Sequence, residues 1–253
     1  MPTSLHDSAG PPLITLRDCD VVLGGRRVLR ELDFTLRRGN RCLLVGANGA
    51  GKTLFLKLLR GDIWPTPNGR ELRRYQFDGE RSEEPLGFKE RIAYVGSERQ
   101  DRYERHGFDL TLEQVVTTGL YDEDIPLTRP TRSERARVRR VLERFDIDRL
   151  SARRMLSLSH GQRRLALIAR AYVSRPVVLL LDEPFNGLDQ ICADRLRHSL
   201  AQRGGPAAWV LATHRPAEAP GNINRRLSLH EGRLTEPGRA RRTRHARAQA
   251  HSG

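Results

Sequence analysis

The sequence predicts an α/β fold with a core of mixed, mostly parallel sheet, an N-terminal antiparallel β subdomain and an inserted α-helical subdomain. Three short apolar runs, at 41–45, 177–181 and 209–213, predict the core strands, because strands buried on both faces are continuously hydrophobic. Apolar residues alternate with polar ones near the N-terminus, which predicts the antiparallel sheet. Helical spacing dominates between about 97 and 165 and predicts the insert.

A glycine-rich segment follows the first apolar run and fits the phosphate-binding loop, Gly, four residues, then Gly-Lys-Thr. Backbone N–H groups must wrap a polyphosphate, and glycine permits the angles and close approach that this requires. A helical pattern ending at Gly61 comes next, so the strand, loop and helix of a P-loop NTPase core are all predicted. The predicted phosphate-binding residues are Gly46, Ala47, Asn48, Gly49, Ala50, Gly51, Lys52, which reaches the outer phosphates, and Thr53, a Mg²⁺ ligand.

Length and composition exclude several classes of protein. The 253 residues suit one large domain, which we place at 13–236. No apolar run approaches the ~20 residues that cross a bilayer, and the N-terminus shows no apolar signal segment, so we expect a soluble, cytoplasmic protein. The three Cys lack metal-ligand spacing and fit a reducing compartment.

Arginine dominates the charge, since 45 Lys and Arg face 31 Asp and Glu, a net +14. Two interpretations stay open: solvated side chains that reflect a coding bias, or a polyanionic partner such as nucleic acid or anionic lipid. The clearest arginine cluster is the segment 237–253, which has almost no large apolar group and is predicted to be a basic, disordered tail.

The N-terminal third predicts mostly β structure. Residues 1–12 predict a disordered end, and from Leu13 apolar alternation with a turn at Gly24-Gly25 predicts the small antiparallel sheet. A short buried strand is predicted at 92–95. Two loops are predicted before it, at 65–69 and 78–87.

The insert contains two capped helices, beginning at Thr111 and Thr131, and Gly119 ends the first. Ser159 and Gln162 have the same capping-box spacing, and Leu165 and later apolar residues predict a helix behind them. That helix N-terminus is either an ordinary capped start or a second anion site.

Two carboxylates, Asp182 and Glu183, end the apolar run at 177–181, where doubly wound sheets place their sites. Asp182 is suited to hold Mg²⁺ together with Thr53, and Glu183 to polarise an attacking water. A helix is predicted from about 190 to 203 with Cys192 inward. His214 ends the next strand, where it can bond a terminal phosphate or the water.

The ordered motifs resemble the ABC ATPases over about 13–234. They are the phosphate loop, the helical insert, Leu-Ser-His-Gly-Gln at 158–162, Asp-Glu-Pro at 182–184, Gly-Leu-Asp at 187–189 and the strand-end His214. The nearest subgroup resembles the ATP-binding proteins associated with molybdate uptake. Three features suggest this subgroup: the unusual third residue of the signature, the segment Tyr94-Val95-Gly96-Ser97, and the stretch from His214 to Leu234.

The resemblance implies a head-to-tail dimer that closes on two ATP molecules with Mg²⁺. The loop from Gly46 to Thr53 of one subunit would then meet the signature residues of the other, which are Ser159, His160, Gly161 and Gln162. Asp189 would cross between the sites, Glu183 would be the catalytic carboxylate and His214 the γ-phosphate switch.

The sequence departs from the family pattern at three positions. The family has a glutamine after the segment that matches Tyr94-Val95, and Ser97 occupies that position here, with Gln100 nearby. The position of the aromatic residue that normally stacks on adenine corresponds to about Leu23, which is not aromatic. His160 replaces the usual glycine of the signature.

The first functional hypothesis is therefore an ATPase that powers separate membrane permease subunits, on the inner face of the cell membrane, for a small solute such as molybdate. One alternative is a soluble ATPase of the same fold that acts on nucleic acid or ribosomes. Another is a nucleotide sensor with little turnover. The presence of a complete catalytic set argues against this sensor; the set is Lys52, Asp182, Glu183 and His214.

Overall fold

The strands of the protein form two sheets, seen in a computed structural model that describes residues 10–96 and 110–237. In chain order the elements are β1 (Pro12–Leu23), β2 (Arg26–Arg37), β3 (Arg41–Val45), α1 (Lys52–Arg60), β4 (Leu72–Phe77), β5 (Glu80–Ser82), β6 (Ile92–Val95), α2 (Leu112–Thr118), α3 (Arg132–Arg144), α4 (His160–Val173), β7 (Val178–Asp182), α5 (Gln190–Ala201), β8 (Ala208–Thr213), β9 (Arg225–His230) and β10 (Arg233–Thr235).

The larger sheet has six strands in the order β10-β9-β3-β8-β7-β6. Its strands are parallel except β10, which pairs antiparallel with β9. The prediction of a mixed, mostly parallel core sheet is confirmed. Parallel strands end at one edge, so the phosphate loop after β3, the carboxylates at the end of β7 and His214 after β8 all lie at the same edge.

Each central strand contributes to two hydrophobic cores, because successive side chains point to opposite faces of a sheet. In β7, Leu179 and Leu181 face the core that holds α2 to α5, whereas Val178 and Leu180 face α1 and the antiparallel sheet. All four side chains are fully buried. This burial explains why the strand reads as one apolar run in the sequence.

The smaller sheet is antiparallel in the order β2-β1-β4-β5, as predicted for the N-terminal subdomain. The prediction of a loop throughout 78–87 is wrong, because β5 lies within it, and β4 was not predicted. In β4 the inward positions are Arg73, Tyr75 and Phe77. Because one inward position is an arginine, the sequence lacks the apolar alternation that would identify the strand. The buried guanidinium of Arg73 lies over the rings of Trp64 and Tyr75.

The predicted helix starts are confirmed, and Thr111, Thr131 and Ser159 each form a complete capping box. Helix α5 ends at Ala201, two residues before the predicted end. None of the helices in the described ranges is long and apolar enough to cross a membrane.

The structure describes only part of the predicted terminal segments. The N-terminal boundary was placed too late, because the Gly10 amide donates to the Arg38 carbonyl at 3.2 Å and β1 begins at Pro12. Residues 1–9, the start of the helical insert at 97–109 and nearly all of the basic tail, 238–253, lie outside the described residues.

Candidate functional site

The phosphate loop connects β3 to α1 and turns tightly before the helix begins. The Ala50 amide donates to the Ala47 carbonyl at 3.2 Å, and Gly51 has φ of 100° immediately before the helix. A side chain at Gly51 would be strained in that left-handed conformation. The first amides of α1 have no partner within the helix and are available to an anion.

Gly46 brings the start of the loop into close contact with β9. A Cβ atom at this position would lie 2.6 Å from the Leu229 carbonyl oxygen and 3.3 Å from the Ala50 Cβ. Glycine is therefore required here by the space available. The loop rests directly on a neighbouring strand of the sheet.

An open cleft of about 280 Å³ lies over this loop. Its lining residues are Val28, Ala47, Asn48, Gly49, Gly51, Lys52, Thr53, Leu54, Asp182 and Glu183. Gly46 and Ala50, which the sequence also assigned to phosphate binding, belong to the loop without lining the cleft. Val28 and Leu54 were not predicted as site residues.

Lys52 lines the cleft and is only 6% exposed. Its ammonium donates to the carbonyls of Gly46 at 2.7 Å and Ala47 at 3.2 Å. The same Nζ lies 3.2 Å from Glu183 Oε1, an ion pair outside hydrogen-bond geometry. One cation therefore faces both the loop and the carboxylate.

Glu183 is held on its other side by His214. The ring Nδ1 lies 3.0 Å from Glu183 Oε2, and the His214 amide donates to the same oxygen at 3.4 Å. Burial raises the pKa of the Glu183 carboxyl, but the contacts with His214 and Lys52 outweigh it, so the pKa lies below its ordinary value. The carboxylate is thus ionised at neutral pH, as an acceptor of a water proton must be.

Asp182 and Thr53 meet beside this pair. The Thr53 hydroxyl donates to Asp182 Oδ2 at 2.6 Å, and the Tyr94 hydroxyl donates to the same oxygen at 3.1 Å. A hydroxyl next to a carboxylate fits Mg²⁺, which prefers oxygen ligands and takes the remainder from phosphates and water. Among the described residues there is no cluster of three or more His, Cys, Asp or Glu that could hold a metal by itself. Tyr94 is a neighbour of this site that sequence reasoning did not identify.

The signature residues lie at the start of α4, away from the cleft of their own chain. Ser159 and His160 are exposed and Gly161 is buried. The His160 ring stands over Gly187, where a Cβ would lie 2.7 Å from it. The structure therefore does not bring Ser159, His160, Gly161 or Gln162 to the phosphate loop within one subunit.

Asp189 caps α5, since its side chain accepts from the Cys192 amide at 2.7 Å. Cys192 is buried, as predicted for a core residue. Leu23 is the last residue of β1 and is 48% exposed. Because leucine has no aromatic ring, this residue cannot stack on an adenine base. Ser97 and Gln100, the candidates for the missing glutamine, lie outside the described residues.

Comparisons with known proteins identify the family of the chain. The family profile described as ABC transporter matches residues 29–186. ModF of Escherichia coli, an ABC transporter ATP-binding protein, is 31% identical over 87% of this chain and 45% of its own length. An uncharacterised ABC transporter ATP-binding protein of Schizosaccharomyces pombe is 29% identical over 89% of this chain and 46% of its own length. The chain thus spans about half the length of these two relatives.

A solved structure shows the same fold. It is cbiO1 from Clostridium perfringens, part of the ABC transporter complex cbiONQ. The TM-score is 0.73 at 24% identity, and the match covers 88% of this chain and 87% of that chain. Similarity to ModF fits the subgroup expected from the sequence only loosely.

Proposed function

The chain belongs to the ABC transporter ATP-binding family, and from that premise we propose that it binds and hydrolyses ATP to power separate membrane subunits. One observation carries the proposal. The Glu183 carboxylate lines the phosphate-loop cleft between Lys52 and His214, with Thr53 and Asp182 beside it. The proposed reaction is ATP plus water to ADP plus phosphate.

In this proposal, residues 46–53 bind the triphosphate through backbone amides, and Lys52 neutralises its outer phosphates. Thr53 and Asp182 would hold Mg²⁺, which would neutralise charge on the phosphates. The support for this assignment is the 2.6 Å contact between the Thr53 hydroxyl and the Asp182 carboxylate.

Glu183 then orients a water molecule and accepts its proton as the water oxygen attacks the terminal phosphorus. The bond from that phosphorus to the bridging oxygen breaks, and its electron pair leaves with ADP. His214 holds Glu183 from one side through its ring Nδ1, and in this proposal it would also contact the terminal phosphate. A positioned general base contributes about 10²–10⁴ to a rate.

A second copy of the chain, placed head to tail, completes the site in this proposal. The signature start at Ser159 and His160 is exposed and does not line the cleft of its own chain, so we assign it to the nucleotide of a partner. Its helix N-terminus favours negative charge. Asp189, at the start of α5, would lie at the crossing between the two sites.

The membrane partners and the solute are part of the same proposal. Separate permease subunits would hold the dimer at the cytoplasmic face of the membrane. The solute would bind those subunits, since the cleft described here is built for phosphate. Molybdate stays a hypothesis based on the sequence resemblance to one subgroup.

The Glu183→Gln variant tests the proposal. It should retain ATP binding and lose at least about 10²-fold in turnover, and ATP should make it accumulate as a dimer in analytical ultracentrifugation. Glu31→Gln is a matched control, because Glu31 also has a left-handed backbone and an ion pair, to Arg233, and is not among the residues that line the cleft. Near-normal phosphate release by Glu183→Gln would remove Glu183 from the catalytic role.

A second candidate, action on nucleic acid, is favoured by the exposed side of α3. Four exposed arginines there form no ion pair with any acid in the described part of the chain; they are Arg132, Arg135, Arg139 and Arg140. Binding of RNA that weakens steeply with salt, and that neutralising these arginines removes, would support this candidate.

A further inference from the structure

We propose that Arg164 is a positioning residue that holds the backbone of Glu183 in its catalytic conformation. The proposal rests on the proposed role of Glu183 in hydrolysis. Arg164 lies on α4, shortly after the signature residues, and its side chain reaches from that helix to the end of β7. It is only 4% exposed.

The guanidinium of Arg164 donates to three backbone carbonyls. One nitrogen donates to the Gly96 carbonyl at 2.8 Å, at the end of β6. The other donates to the carbonyls of Asp182 at 2.8 Å and Glu183 at 3.3 Å. A single planar group therefore joins α4 to the ends of two neighbouring strands.

Glu183 needs such support because its backbone is strained. Its φ is 46°, in the left-handed region that costs residues other than glycine about 1–3 kcal/mol. The two soft torsions of Glu183 lie between the carbonyl of Asp182 and its own carbonyl. Because one nitrogen of Arg164 binds both carbonyls, it restrains both torsions at once.

The strained backbone determines where the carboxylate lies. The Glu183 amide donates to the Ala212 carbonyl at 2.9 Å, and this bond fixes the amide end of Glu183 to β8. The side chain then lies between Lys52 and His214, at 3.2 Å and 3.0 Å. If Glu183 relaxed to a right-handed or extended conformation, its carboxylate would leave this position, and a misplacement of about 1 Å can cost 10²-fold in rate.

Arginine suits this task better than lysine. Its fork presents several N–H donors in a fixed plane, whereas a lysine ammonium is a compact point charge on a flexible stem. An ammonium at this position could bind one carbonyl well but could not span all three.

Arg170 provides a matched control on the same helix. It is also 4% exposed, and it donates to the Thr118 hydroxyl at 2.9 Å and to the Glu123 carbonyl, away from the cleft. Arg164→Met and Arg170→Met each remove a buried guanidinium from α4. A purely structural role would lower Tm similarly in both variants and would leave kcat alike.

The experiment compares steady-state ATPase kinetics and thermal melting of the two variants. We expect Arg164→Met to lower kcat by about 10- to 100-fold, with KM for ATP changed less than about threefold because the phosphate loop is untouched. Arg170→Met should keep kcat within about twofold of the wild type. Equal kcat in the two variants would overturn the proposal.

A double-mutant comparison separates this inference from the proposed function. In the Glu183→Gln background, adding Arg164→Met should cause no further loss of turnover, because both changes remove the same positioned carboxylate. ATP affinity should also equal that of Glu183→Gln alone. Additive losses would refute the positioning role, whereas a fully active Glu183→Gln protein would instead refute the catalytic role of Glu183.

Arg164→Lys covers the case in which Arg164→Met does not fold. It preserves the charge and most of the stem, so folding should be retained while kcat still falls. Wild-type kcat in a folded Arg164→Lys protein would overturn the requirement for the planar fork.

Discussion

Replacing Gly46 with alanine tests whether the phosphate loop depends on its contact with β9. The added Cβ would lie 2.6 Å from the Leu229 carbonyl oxygen, and ordinary contacts begin at 3.4 Å. The loop or the strand must therefore move by about 0.8 Å to accommodate one methyl group. Backbone lies on both sides, so neither side can move without disturbing the sheet.

The expected cost follows from this overlap. An extra methyl in a tightly packed site typically destabilises a protein by about 1–3 kcal/mol. For a chain of this size each kcal/mol lowers Tm by about 2–4 °C, so Tm should fall by about 2–12 °C. Displacement of the loop should also weaken ATP binding by about tenfold, which is about 1.4 kcal/mol.

Thermal melting and titration calorimetry with ATP measure both effects. Gly221→Ala is the matched control, because its Cβ would meet nothing within 4 Å and its backbone lies outside the left-handed range. That variant should melt and bind ATP like the wild type. If Gly46→Ala behaves like Gly221→Ala, the contact with β9 does not position the loop.

Two further predictions concern Leu23, at the end of β1, and the buried carboxylate of Asp20. Leu23→Tyr should raise ATP affinity about tenfold, because stacking on a base contributes about 1–3 kcal/mol in single-strand binders; unchanged affinity would show that Leu23 is remote from the base. Asp20→Asn should destabilise the protein by about 1–3 kcal/mol at pH 7, since the carboxylate accepts from the Arg27 guanidinium and the Glu31 amide. Burial raises the pKa of Asp20, but these bonds outweigh it and the pKa is lowered. The stabilisation is therefore present above the unfolded pKa of about 3.9 and is lost as pH falls through the folded pKa. Urea unfolding at pH 7 and below pH 3 measures this, and a difference independent of pH would contradict it.

The core of the fold could be predicted because its signals are local and strong. The strands at 41–45 and 177–181 are continuous apolar runs, and capping boxes at Thr111 and Thr131 mark helix starts within four residues of sequence. The prediction failed at β4, because buried Arg73 interrupts the apolar alternation that identifies a strand. That burial depends on partners outside the strand, which are the ring of Trp64 and the carbonyls of Leu58 and Ile63.

The site could be predicted where one segment supplies its residues. Lys52 and Thr53 follow from the loop pattern, and Glu183 from its place at a strand end. Tyr94 could not be assigned in this way, although β6 pairs with β7 and brings its hydroxyl to Asp182. The information lies in which strands are neighbours, and a sequence pattern does not contain it.

Helix α4 links the two proposals made for this chain. Its first turn carries Ser159 and Gln162, proposed to meet the nucleotide of a partner subunit, and Arg164 follows immediately on the same helix. An α-helix rises 1.5 Å per residue and moves as a unit over such a distance. A partner nucleotide that draws in the start of α4 would therefore shift the guanidinium that holds Glu183. The catalytic carboxylate of one cleft would thus respond to whether the neighbouring cleft is filled, with no contact between the two nucleotides.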